Sequence, residues 1–106
     1  MAVLVFSSTR FGEHAPPPGH PERPERQDVM DVVAGQWRQR GGDVAEPAPA
    51  PREAILRAHS ARFVETLEAA AGRAVMLDPD TFTSADSWGD TQLAAGAAVG
   101  AFHAVL

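Results

Sequence analysis

The sequence predicts an α/β fold that contains a short parallel sheet. Two observations predict it. The apolar run AVLVF at 2–6 is typical of a strand buried on both faces. The segments that follow alternate between a helical pattern, a second short strand (DVAEP, 43–47) and further helices. This alternation of strands and helices is typical of the α/β class.

The first helix is predicted to begin near Pro24. Five prolines keep the preceding segment, 7–24, irregular and extended. Proline is tolerated in the first turn of a helix, and Glu25 is favourable at its positive end. One face of this helix carries apolar residues at helical spacing: Val29, Met30, Val33 and Trp37. Gly41 and Gly42 are expected to end it.

The middle of the chain predicts two further helices after a proline-rich connector, 47–53. Pro51 opens a short helical segment, REAILRAH at 52–59. Ser60 is positioned to cap the next helix, which we expect to stop at Gly72. Its apolar side is formed by Phe63, Val64, Leu67 and Ala71.

The last third of the chain predicts a polar loop and a final helix. RAVML at 73–77 leads into DPDTFTSADS at 78–87, which is rich in residues that form turns and caps. The final helix is expected from about Asp86 to the end, and its alanine and glycine content predicts that it is buried. Its apolar pattern continues through Val105 and Leu106 without a cap, so we expect a truncated chain.

Composition restricts the classes of function. The 106 residues suit one small domain, and 44% hydrophobic with 22% charged residues is ordinary globular composition. A net charge of −5 gives no reason to expect nucleic acid as a partner. The absence of cysteine excludes thiolate metal sites and a cysteine nucleophile. We find no signal peptide and no apolar run of the ~20 residues that a membrane span needs. The basic residues are all arginine, which suggests a GC-rich bacterial gene, and we expect a cytoplasmic location.

The residues that could carry chemistry are few when taken one at a time. None of the four histidines has metal-ligand spacing to another, and Ser7 and Ser8 lack the Gly-x-Ser-x-Gly elbow of a hydrolase. We expect His59 to be structural and His103 to be a core histidine. A small metal-binding protein that uses His14, His20 and carboxylates stays open as an alternative. Asp78 and Asp80 flank Pro79, a pattern that favours a capped turn over a functional carboxylate. Arg26, judged from its residue type alone, is more commonly a solvated side chain than a ligand-binding one.

Three motifs in order resemble the opening third of the histone deacetylase superfamily. They are HAPPPGHPERPER at 14–26, PREAILRAHSARFVETL at 51–67, and LDPDTFTSADSW at 77–88 followed by LAAGAA. Each motif alone is weakly specific, whereas the ordered set covers nearly the whole chain. The resemblance is greatest to bacterial and class II-like members: histone deacetylase-like amidohydrolases, acetoin-utilisation proteins and acetylpolyamine amidohydrolases.

The resemblance implies that residues 1–106 are the N-terminal part of an arginase/deacetylase-type parallel-sheet fold, with short strands and about four helices. It implies a zinc-dependent hydrolase that deacetylates acetyl-lysine, polyamines or related small amides. The Asp-x-His and His-His elements of that family are not in this sequence, and there is no tyrosine. The resemblance therefore implies no catalytic residue and no metal ligand in this chain, zinc only in the full-length protein, and an inactive isolated chain.

The resemblance assigns to this chain part of the wall and part of the rim of the substrate tunnel. Pro24 and Arg26 match the family's first active-site loop, with Arg26 directed toward the internal cavity that releases acetate. Asp80 matches the rim aspartate that accepts hydrogen bonds from substrate amides. Gln27 stands where the family usually has leucine, which removes one apolar contact. Phe63 replaces the commoner tyrosine, which is a mild change.

The main alternative is a non-enzymatic binding or interaction module that retains part of the fold. A missing partner fragment predicts that Trp88, Val99 and Phe102 are partly uncovered. We therefore expect self-association through these apolar faces.

Overall fold

The computed structural model describes residues 2–106. Its β-strands are β1 (Leu4–Phe6), β2 (Asp43–Ala45), β3 (Val75–Asp78) and β4 (Thr81–Thr83). Its α-helices are α1 (Glu25–Gln39), α2 (Arg52–Leu56), α3 (Ala61–Ala69) and α4 (Ser87–Ala104). A 3-10 helix covers Thr9–Glu13. This mixture of helices and strands confirms the predicted α/β class, and no described helix is long and apolar enough to cross a bilayer.

The first sheet is a β1–α1–β2 unit. β1 and β2 run parallel with Val5 opposite Val44, and the amide of Ser7 extends the ladder by donating to the carbonyl of Ala45 at 3.0 Å. The predicted parallel pairing is confirmed. The prediction that the first strand is buried on both faces is wrong, because Leu4 is 44% exposed and the described residues provide no further strand beside it.

Helix α1 begins and ends where the sequence predicts. It follows Pro24, and Gly41 ends it with a φ of +82°, a value that favours glycine. Its apolar residues at 29, 30, 32 and 33 are all exposed, and only Ala34 is buried. The helix thus packs on the rest of the described chain through a narrow strip.

Helix α3 shows the expected cap. The Ser60 hydroxyl accepts a hydrogen bond from the amide of Phe63 at 3.2 Å, and Val64 is fully buried. The assignment of Ala71 to the apolar side is wrong: α3 ends at Ala69, and Ala71 is exposed. The helix ends one turn early, and Gly72 then turns the chain with a φ of +76°.

The segment predicted as a polar loop contains the turn and the second strand of a β-hairpin. Strands β3 and β4 pair antiparallel, with Met76 opposite Phe82 and a bulge before Asp78. The alternation Thr-Phe-Thr at 81–83 is a strand pattern, and it directs Phe82 inward, where it is 6% exposed. The turn residues on both sides concealed this short strand in the sequence.

Helix α4 starts at Ser87, close to the expected Asp86, and buries one face. The buried residues recur every three positions: Ser87, Asp90, Leu93 and Gly96. The connector docks on this face, where the amide of Ala50 donates to the carbonyl of Gln92 at 2.9 Å. The prediction of a buried final helix is therefore correct for one face only. His103 is exposed, as are all residues from 101 to 106, so the prediction of a core histidine there is wrong.

Candidate substrate-binding site

A cleft of about 300 Å³ opens where the extended segment meets the first turn of α1. Pro24 is half-buried in its wall and Arg26 is exposed beside it. The other lining residues are Phe11, His14, Glu22, Arg23, Gln27 and Met30. Pro24 and Arg26 therefore line one cavity, and their role in a substrate tunnel stays a prediction.

Arg26 has no carboxylate partner among the described residues. Glu22, the acid that could have neutralised it, lies 3.5 Å from Nε2 of His14 instead. A guanidinium in the first turn faces the positive end of the helix, so its own helix does not stabilise it. An anion that enters the cleft would find this donor group unpaired.

His14 fixes the floor of the cleft to the start of α4. Its Nδ1 lies 2.6 Å from the hydroxyl of Ser87, and its ring stacks on Phe82 with centroids 4.9 Å apart. Ser87 Oγ also accepts a hydrogen bond from the amide of Ser84 at 2.7 Å. The Ser84 hydroxyl in turn accepts from the amide of Ala15 at 3.1 Å. These contacts hold the extended segment against the hairpin and α4.

His20 joins the same segment to the turn that carries Asp80. Its Nε2 lies 3.2 Å from the backbone carbonyl of Asp80, and its Nδ1 accepts from the amide of Glu22 at 3.1 Å. Its ring meets Phe82 edge-on, with centroids 5.0 Å apart and planes at 73°. Phe82 is thus in contact with two imidazoles that belong to one loop.

The two aspartates of the turn have different roles. The Asp78 carboxylate accepts hydrogen bonds from the amide of Asp80 at 2.9 Å and from the Thr81 hydroxyl at 3.0 Å, which lowers the pKa of Asp78. Asp78 is therefore the cap of the turn. The Asp80 side chain is exposed, and its carboxylate accepts no hydrogen bond from any described residue. Asp80 does not line the cleft of Arg26, and it lies in the neighbouring turn across His20.

A buried carboxylate lies behind this site, and sequence reasoning missed it. Asp90 on α4 is 4% exposed, and neither of its oxygens has a hydrogen-bond partner within the described chain. Arg10 Nη2 lies 3.8 Å from Oδ1. Burial raises the pKa of Asp90 to about 6, and the neighbouring Glu13 carboxyl adds to the increase. The signal in the sequence was a lone acid within the apolar pattern of the final helix.

The remaining candidates have structural surroundings. Ser8 is buried, hydrogen-bonds to the Glu46 carboxylate and caps the 3-10 helix by accepting from the amide of Arg10 at 3.2 Å. His59 is exposed beside Phe63, with ring centroids 5.1 Å apart. Neither residue is arranged as a nucleophile with a base.

A second cavity, of about 220 Å³, lies between α2, α3 and α4 and is almost entirely apolar. Trp88 and Val99 line it and are each partly exposed, and Phe102 beyond it is 61% exposed. These are the three side chains that the sequence predicted to be partly uncovered.

The side chains of the described residues do not form a zinc site. Across residues 2–106, no group of three or more histidine, aspartate or glutamate side chains converges to hold a metal ion. The small metal-binding protein considered as an alternative gains no support from the placement of His14 and His20, which contact Phe82.

The fold and the cleft define an α/β protein that presents an unpaired arginine in a loop-walled cavity. A family model described as Histone deacetylase domain matches residues 20–106. The match covers most of the sequence, and the chain belongs to the histone deacetylase family. No curated protein matches the chain.

Proposed function

We propose that this chain supplies one wall and part of the rim of the substrate site in a zinc-dependent deacetylase. The substrate class is acetyl-lysine or a related N-acyl amine, including acetylated polyamines and small amides. The observation that carries the proposal is the cleft at the start of α1, where Pro24 shapes the wall and Arg26 faces the cavity without a carboxylate partner. Family membership supports the hydrolase class.

Arg26 would bind the carboxylate that amide hydrolysis releases. A guanidinium offers two parallel N–H donors to a carboxylate, and charge-assisted hydrogen bonds of this kind are the strong ones. Asp80 would accept hydrogen bonds from the backbone amides or the amine groups of a substrate, because its carboxylate is exposed and is not used by the turn.

Under this proposal the whole chain, 1–106, is the N-terminal part of a deacetylase-like domain, and zinc is held by residues outside it. We derive no catalytic step from the described residues. The proposal includes a bacterial source, a cytoplasmic location and self-association through the apolar residues left exposed on α1 and α4.

A non-enzymatic interaction module is the second candidate. The exposed apolar residues of α1 favour it, because Val29, Met30 and Val33 are each about half exposed or more. The two proposals differ in one measurable property, which is amide hydrolysis by the complete gene product.

The test compares the complete gene product with residues 1–106 alone. Both are assayed with zinc for acetate release from an acetyl-lysine peptide and from an N-acetylated polyamine. We expect hydrolysis by the complete product and none by residues 1–106. Arg26→Ala is expected to weaken inhibition by added acetate, followed through release of the amine product, by roughly 10- to 100-fold, the value of a charge-assisted contact.

Arg57→Ala is the matched control, because Arg57 is an exposed arginine away from the cleft. Its inhibition by acetate should equal that of the wild type. Amide cleavage by residues 1–106 alone would overturn the proposal. Absence of hydrolysis by the complete product on both substrates would favour the interaction module.

A further inference from the structure

The extended segment that leads into Pro24 and Arg26 and the hairpin that carries Asp80 meet at a single aromatic ring. Phe82 is 6% exposed and is stacked by His14 on one side, while His20 meets it edge-on. The two segments are about 60 positions apart in sequence, so their relative position depends on these contacts.

The hydrogen bonds of His20 define its tautomer. The amide of Glu22 can only donate, so Nδ1 of His20 must be the acceptor and carries no proton. The carbonyl of Asp80 can only accept, so Nε2 must carry the proton. Both bonds are satisfied together only by the neutral Nε2–H form of the ring.

We propose that His20 is a positioning residue that couples the Arg26 wall of the cleft to the Asp80 rim through its Nε2–H bond to the Asp80 carbonyl and its contact with Phe82. One side of the ring is fixed by its own loop at Glu22, and the other side holds the turn. The role of this coupling in substrate binding rests on the proposed deacetylase function, whereas the coupling itself is a property of this chain.

Such coupling sets the spacing between an anion-binding arginine and a rim carboxylate. A spacing fixed in advance favours substrate binding, because ordering a loop on binding costs affinity. The unpaired Asp80 carboxylate lies on the turn whose backbone carbonyl His20 holds. His20 therefore holds the Asp80 turn against the segment that leads to Arg26 before a substrate binds.

Two substitutions separate the functions of the two ring nitrogens. Gln places an N–H donor near the position of Nε2, whereas Asn places its amide near the position of Nδ1. His20→Gln should keep the bond to Asp80, and His20→Asn should lose it. His103→Asn is the control, since His103 is exposed at the end of α4.

The primary measurement is made on residues 1–106. Long-range ¹⁵N NMR at alkaline pH should show the Nε2–H tautomer for His20. Because the chain has no cysteine, nitroxides can be attached through Arg23→Cys and Pro79→Cys, and the distance distribution between them measured. We expect a narrow distribution in the wild type, in His20→Gln and in His103→Asn, and a broad one in His20→Asn.

The Nδ1–H tautomer for His20, or equally narrow distributions in His20→Asn and the wild type, would overturn the proposal. A His20→Gln distribution as broad as that of His20→Asn would also overturn it. In the complete gene product, His20→Asn should raise KM by about three- to tenfold, the value of one hydrogen bond, with kcat little changed. Coupling without hydrolysis would refute the deacetylase function alone, and hydrolysis without coupling would refute this inference alone.

Discussion

Replacement of Asp90 by asparagine tests the electrostatics of the buried face of α4. Asp90 is 4% exposed without a hydrogen-bond partner in the described chain, and burial together with Glu13 raises its pKa from 3.8 to about 6. The folded protein therefore binds the Asp90 proton more tightly than the unfolded chain does. Folding takes up this proton between pH values of about 4 and 6, so the contribution of Asp90 to stability is lost as pH rises through that interval.

The expected loss of unfolding free energy follows from the size of the change in the pKa of Asp90. An increase from 3.8 to about 6 corresponds to about 3 kcal/mol of unfolding free energy. This value already includes the opposing effect of Arg10, whose guanidinium lies 3.8 Å from the carboxylate and partly offsets the cost of its charge. Glu13 has a lowered pKa because Arg10 hydrogen-bonds to it, so Glu13 stays charged while Asp90 titrates.

The assay is urea unfolding of the wild type and Asp90→Asn at several pH values from about 4 to about 8. The stability of the wild type relative to the variant should fall by up to about 3 kcal/mol over this range. The asparagine of the variant has no carboxyl proton to lose, so the other titrating groups largely cancel in the difference. Asp43→Asn is the control, because Asp43 is an exposed aspartate on β2 that does not contribute to the raised pKa of Asp90. A difference that does not change with pH would refute the reasoning.

Two substitutions test the local structure. Ser60→Ala removes the acceptor for the Phe63 amide and should cost about 1 kcal/mol, seen as a lower Tm, whereas Ser60→Asp should keep the cap. Gly96→Ala should destabilise the protein by about 1–3 kcal/mol in urea unfolding, because its Cβ would overlap the Ala48 carbonyl and lie 2.8 Å from the Ala50 nitrogen. Gly35→Ala on α1 meets no atom within 4 Å and should be neutral or stabilising. An equal change in unfolding free energy in Gly96→Ala and Gly35→Ala would contradict the close packing at Gly96. An unchanged Tm in Ser60→Ala would contradict the cap at Ser60.

Local signals predicted much of the architecture. The cap at Ser60, the proline before α1 and the glycine after it each act within one helical turn, so the sequence alone places these helix ends. The parallel pairing of β1 with β2 followed from the strand–helix–strand order. The substrate-tunnel roles that the resemblance assigns to Pro24, Arg26 and Asp80 stay predictions.

Other features depend on neighbours that the sequence does not reveal. The three-residue strand β4 was hidden among turn residues, since a strand this short is stabilised by its partner and by the burial of Phe82. The core position predicted for His103 was wrong because the end of α4 extends past the residues that cover its start.

By itself, the sequence determined where α1, α3 and α4 begin, the parallel β1–α1–β2 order, and the family, because each rests on residues close together in the chain or on motifs in order. Only the tertiary structure decided that His14 and His20 pack on Phe82, that Asp78 caps the turn while Asp80 stays exposed, and that Asp90 is buried beside Glu13. Most of these contacts join residues some 60 to 80 positions apart, and burial and pKa depend on the atoms that surround a group in space rather than on its neighbours along the chain.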